Sequence, residues 1–152
     1  MTDQCDKDTE PCLLFDRQAG VATLTLNRPA TRNALTTGLF LEMERMLLEV
    51  QADDAVRAVV LTGAGRGFSA GGDFRPVSEK ERRRTEASSF PGDLGGDILD
   101  RGNRCIRRLR QLPKPVVGSI NGDAVGIGCS LALATDLRIA SQAARFGVVF
   151  SR

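Results

Sequence analysis

The chain has 152 residues, of which 26% are charged and 41% hydrophobic, and its net charge is +2. That is the length of one domain, able to bury roughly 68–70% of its unfolded surface. The balance excludes an intrinsically disordered chain and the strongly basic surface of a nucleic-acid binder, and no apolar run approaches the roughly 20 residues of a membrane helix.

Histidine is absent, and the four cysteines, Cys5, Cys12, Cys105 and Cys129, form no Cys-x-x-Cys pair. A zinc site and a disulfide framework therefore fall away, as does any Ser-His-Asp or Cys-His mechanism within this polypeptide. The opening residues Met1 to Glu10 are acidic and polar, without the basic start and apolar centre of a secretory signal. The expectation is a cytoplasmic protein with a disordered tail over 1–11.

In chain order, Cys12 to Phe15 and Val21 to Leu26 are rich in strand formers, with Asp16 to Gly20 as a turn-like connection, so an antiparallel hairpin is expected. Asn27-Arg28-Pro29 ends it, because proline cannot donate to a ladder. Leu39, Met43, Met46, Leu47 and Val50 recur at helical spacing, with Thr36 or Thr37 as N-cap and Asp53-Asp54 past the end. Val56 to Thr62 reads as the next strand, and it delivers the chain into Gly63-Ala-Gly-Arg-Gly-Phe-Ser-Ala-Gly-Gly-Asp73.

Five glycines in those eleven residues let the backbone turn sharply and approach a ligand closely. The loop lacks the Gly-Lys-Ser/Thr ending of a phosphate-binding loop, and it misses the third glycine of the dinucleotide fingerprint. Residues 74 to 97 carry no clear period, and a mobile flap is expected there. Ile98, Gly102, Cys105, Leu109 and Leu112 make a second helical stripe closed by Pro113, and Arg101, Arg104, Arg107, Arg108 and Arg110 on its other faces read as a solvated surface. Val116 to Ile120 is a buried-strand candidate. An Asn121-Gly122 turn follows, then a glycine-rich entry to a helix from Gly126 onward, and a short strand from Leu137 to Ala140.

These pieces, Asn27-Arg28-Pro29 with Arg32 to Leu35, Phe68 to Asp73, Asn121 to Cys129, and Leu131 to Ser141 running to Phe146-Gly147, resemble the crotonase superfamily, the enoyl-CoA hydratase/isomerase fold, in order and spacing. The resemblance implies a mixed α/β fold, the repeated ββα spiral, with 12–152 as an incomplete domain stopping before the C-terminal helices. In the family those helices cover the acyl pocket and build a homotrimer or a dimer of trimers. It also implies an acyl-CoA substrate of fatty acyl-CoA metabolism, no cofactor beyond the coenzyme A thioester itself, and no nucleic-acid or membrane partner. On an incomplete domain the helices at 39–50 and 126–134 are expected to lack part of their cover and the isolated chain to be poorly stable.

By motif position the resemblance assigns the two oxyanion donors to the backbone N–H groups of Gly72 and Ile127, the latter at a helix start where the dipole adds to the field. It places Ala70, Asp73, Arg75, Arg32 and Ala34 along the groove for the coenzyme. Two departures from the pattern stand out. Isoleucine replaces the usual glycine at the second donor, where it disfavours positive φ and brings a side chain that crowds the thioester. Ser130 and Phe150 occupy the positions of the two hydratase glutamates, so the standard hydration mechanism is unsupported. Asp73 and Asp123 are the nearest carboxylates, Asp73 reading more as a loop-fixing residue than as a base, and Asp136 reads as structural.

Overall fold

The computed structural model describes residues 11–73 and 94–149. Residues 1–10 of the tail expected over 1–11, residues 74–93 of the flap expected over 74–97, Arg75 and Phe150 lie outside the described residues.

The hairpin forms from β1 (Leu13–Gln18) and β2 (Val21–Leu26), paired antiparallel from Leu13 opposite Leu26 to Gln18 opposite Val21. It is longer than expected. Asp16, Arg17 and Gln18 extend the strand, and the turn is only Ala19-Gly20, both with positive φ (50° and 82°), the two-residue geometry that matches strand twist. β1 is an edge strand exposed after Leu13. Its polar residues cost nothing there, which is why they read as loop.

A single 3-10 turn (Pro29–Thr31) leads to α1 (Thr37–Ala52), whose N-cap is Thr36, its hydroxyl accepting from Leu39 N at 3.2 Å. The chain then enters β3 (Ala58–Gly63), two residues later than expected, and returns through α2 (Leu94–Arg110) to β4 (Val116–Ile120). α2 begins inside the segment read as periodless. A short strand β5 (Ala124–Val125), the helix α3 (Ile127–Leu133), β6 (Leu137–Ala140) and β7 (Phe146–Gly147) complete the described residues.

The main sheet has the order β1-β2-β3-β4-β6 and is parallel from β2 onward, while β5 and β7 make a two-stranded parallel sheet beside it. Alternation sets the core. Ala22, Leu24 and Leu26 of β2, Val59 and Leu61 of β3, and Val116 and Ile120 of β4 are buried together with Leu39, Phe40, Met43, Leu47 and Val50 of α1 and Cys105 and Leu109 of α2. Lys114 links the layers, its Nζ donating to the carbonyls of Val50 and Asp53 at 2.6 Å each, where a cation also suits the helix C-terminus.

The exposed apolar surface lies partly on the helices expected to lack cover and partly at the far edge of the sheet. The buried stripe of α1 is covered, but Leu41 and Leu48 beside it are exposed, as is Leu133 of α3. Leu137 (64%) and Ile139 (70%) on β6 are more open still, with Phe146, Val148 and Val149 nearby in the chain. α1 packs on the sheet centre, whereas β6 has β4 on one side only among the described strands. Arg101, read as solvated, is also buried.

Truncating the N-cap in Thr36→Ala should cost about 1 kcal/mol, seen as a lower urea midpoint with an unchanged slope.

Candidate functional site

The glycine loop after β3 is held from two sides by buried or half-buried amides. Asn33, fully buried and in the left-handed region (φ 55°), donates from Nδ2 to the carbonyls of Ala64 (2.9 Å) and Gly67 (2.8 Å), while its Oδ1 accepts from Arg28 N (2.8 Å). Asparagine tolerates that backbone better than most residues. From the other side, Asn121 Nδ2 donates to the carbonyls of Gly65 (3.0 Å) and Gly67 (3.3 Å), and its Oδ1 accepts from Gly63 N (3.3 Å).

Beyond Gly67 four backbone segments lie side by side. Ala70 N donates to Arg32 O (2.8 Å), Leu35 N to Gly71 O (2.8 Å) and Asp73 N to Leu35 O (2.9 Å). On the opposite flank Phe68 N and Ser69 N share Asp123 O (3.0 Å each), Val125 N donates to Ser69 O (2.9 Å), and Ala124 N and Gly126 N donate to Arg145 O and Gly147 O (2.8 Å each). The segment 69–73 is thus the middle strip between 32–35 and 123–126.

Two glycines allow the close approach. Gly71 has φ 96°, and a Cβ there would stand 2.8 Å from the Val125 carbonyl oxygen; Gly126 has φ 55° and faces Gly71 in turn. The direction of the next N–H follows from planarity. In a trans peptide the C=O and N–H point to opposite sides. Gly71 O faces Leu35, so Gly72 N–H faces the other way, toward the flank where Val125 and Gly126 pack. By the same rule Gly126 O accepts from Ser130 N (3.1 Å), so Ile127 N–H points out of the N-terminal end of α3. Neither the Gly72 nor the Ile127 N–H has an acceptor among the described residues.

The isoleucine at the second donor does not meet the difficulty expected of it. Ile127 is absent from the non-glycine residues with positive φ, because it is the first residue of a helix. Its side chain turns toward α2, where a Cβ on Gly102 would fall 2.2 Å from Ile127 Cδ1, and Phe40 closes the same space. The bulk is taken up by a hole that glycine leaves.

The Asp73 carboxylate is the counter-ion of Arg28. Arg28 NH1 and NH2 reach Asp73 Oδ2 at 3.2 and 3.3 Å, with the two side chains 7% and 6% exposed, and NH1 also donates to Ala34 O. This is the loop-fixing reading of Asp73, and Arg28 is the residue that motif reasoning missed. The hint lay in its charge next to Pro29, in a segment destined to be buried.

Of the other groove candidates, Arg32 and Ala70 are exposed neighbours joined by their backbone bond, and Ala34 is half-buried beside them. Asp123 is exposed, and its carbonyl serves the 68–69 pair. Ser130 is exposed on α3. Asp136 is structural, its Oδ2 accepting from Val116 N at 2.8 Å at the start of β4. The described cysteines are buried, and desolvation, with a smaller push from Glu44, raises the Cys105 thiol to about 12, far from a nucleophile's range.

Comparison with known proteins shows the family. The family model described as enoyl-CoA hydratase/isomerase matches residues 16–152. The chain is 40% identical over 140 residues to the 1,2-epoxyphenylacetyl-CoA isomerase of Escherichia coli, covering 92% of this chain and 51% of that protein. It is 41% identical over 136 residues to the short-chain-enoyl-CoA hydratase of Clostridium acetobutylicum, covering 89% and 48%. Among solved structures, an enoyl-CoA hydratase from Mycobacterium avium subsp. paratuberculosis superposes with a TM-score of 0.77 at 32% identity, over 93% of this chain and 52% of that one. The chain belongs to the enoyl-CoA hydratase/isomerase family, with the crotonase fold, and it spans about half the length of the curated relatives it matches.

Asp73→Ala should destabilise the chain by about 3–5 kcal/mol, since it removes one member of a buried charge pair; Arg28→Met combined with Asp73→Ala should recover part of that loss, read by denaturant melts. Native Cys105 should resist iodoacetamide at pH 8 and react only on unfolding, as mass mapping of the labelled chain would show.

Proposed function

We propose that this chain binds an acyl-CoA thioester and stabilises the enolate formed from it through the backbone N–H groups of Gly72 and Ile127. The observation that carries the reading is that these two donors, on adjacent interlocked loops, are without acceptors among the described residues, while the carbonyl on the far side of each peptide is held, Gly71 O by Leu35 and Gly126 O by Ser130. A thioester that loses an α-proton, or is attacked at its β-carbon, places negative charge on its oxygen. One preorganised donor to such an oxygen is worth roughly 2.7–4 kcal/mol of barrier. The related isomerase and hydratase are both named for CoA thioesters, which supports a shared need for that stabilisation across two reactions.

The coenzyme would lie along the exposed edge formed by Ala70 and Arg32, with Ala34 behind it. The main chain at Ala70 would meet the adenine, and Arg75 would approach the phosphates. The buried Asp73 serves by holding the strip and not by touching ligand. No helix among the described residues is long and apolar enough to cross a membrane.

Proton transfer needs a group outside this set. Asp73 is committed to Arg28, and Ser130 offers only an unactivated hydroxyl where a hydratase uses glutamate. Turnover would therefore rely on a carboxylate from beyond the described residues, a partner chain included. Ser130 favours a second reading, a thioester-binding homologue without catalysis.

Butyryl-CoA near 100 times its Kd should stabilise the 152-residue chain by about 2.7 kcal/mol, a rise in Tm of roughly 5–10 °C. Gly72→Pro removes one donor without breaking a described hydrogen bond. It should sharply weaken thioester binding relative to free CoA and abolish any turnover; an unchanged preference would sink the assignment.

A further inference from the structure

Ser69 is wholly buried in the middle strip. Its backbone N and O are both spent on the 123–125 flank. Its Oγ works across the other flank, donating to Asn33 O at 2.9 Å and accepting from Gly71 N at 3.2 Å. The bond to a residue two ahead is a local side-chain turn of the kind serine makes readily. Here it closes on Gly71, the residue with φ 96°.

That closure has a consequence one peptide later. Gly71 ψ sets the plane of the 71–72 peptide, and this plane carries both Gly71 O, bound to Leu35, and the Gly72 N–H. Glycine alone leaves such a torsion soft. With Gly71 N held by Ser69, Gly71 O held by Leu35 and Asp73 N held by Leu35 O, the Gly72 N–H is fixed on both sides while itself contacting nothing described. The hydroxyl has no room to swing away, because Gly128 packs so tightly that a Cβ there would stand 2.6 Å from Ser69 Oγ.

We propose that Ser69 is the positioning residue of the first oxyanion donor: by holding Gly71 in its left-handed turn, its hydroxyl aims the Gly72 N–H at the thioester oxygen. The inference rests on the oxyanion reading above and adds the element that preorganises it.

The test is infrared difference spectroscopy of butyryl-CoA labelled with 13C at the thioester carbonyl, bound to the 152-residue chain, with free CoA affinity measured in parallel. Wild type should show the carbonyl band shifted to lower frequency. Ser69→Ala should lose roughly half of that shift, one donor of two, while its affinity for free CoA stays unchanged. Val59→Ala, a core truncation away from the loops, should lower Tm yet keep the full shift, which separates aiming from general loosening. A wild-type band that does not move would overturn the oxyanion reading and this inference with it. A wild-type shift retained in full by folded Ser69→Ala would overturn this inference alone.

Should Ser69→Ala fail to fold, amide exchange on the unliganded wild type decides. The Gly71 amide should be protected and the Gly72 amide fast, the latter slowing with butyryl-CoA but not with CoA. A Gly71 amide as fast as that of Gly72 in the unliganded chain would overturn the proposal.

Discussion

The structure depends most on one buried amide. Asn33 spends both ends of its side chain at once, accepting from Arg28 at the end of the β-hairpin and donating to two carbonyls of the glycine loop. An unmet buried donor or acceptor costs about 1–3 kcal/mol, so three such bonds on a fully buried group leave the loop little freedom to choose another path. The loop then delivers 69–73 between its two flanks, and everything proposed about function follows from where that strip lies.

Polar groups are handled unequally around this strip. Nearly every N–H that faces a flank is matched to a carbonyl, and the buried charge of Arg28 is matched to Asp73. The donors of Gly72 and, with the next two N–H groups of α3, Ile127 are left over among the described residues. For the proposed function an anionic oxygen is the partner whose chemistry fits them. Ile127 shows how an isoleucine at a helix start is accommodated: its backbone N–H is kept, and its side chain is lodged in the hole at Gly102.

Much of this was legible beforehand. Helical spacing from Leu39 to Val50 and the run Val116 to Ile120 named real elements, since burial on one face imposes its own period on sequence. The hairpin turn was misplaced because β1 is an exposed edge whose polar residues carry no alternation. The uncovered surface was only partly foreseen for a related reason. Helical periodicity says which face is apolar but not what covers it: Leu133 is open on α3 as expected, the stripe of α1 is covered with Leu41 and Leu48 open beside it, and β6 is open as well.

By itself the sequence determined the glycine-rich loops, the lack of histidine and the serine at position 130, because each of these is read directly from residues in the chain. Only the tertiary structure decided that Asp73 meets Arg28, that Ser69 holds Gly71 against Asn33, and that Ile127 turns toward Gly102. Each of those pairings depends on how separate segments cross. The direction of a single N–H, on which the proposed chemistry turns, is set by the carbonyl bonded on the opposite side of its peptide, and that partner comes from a different part of the chain.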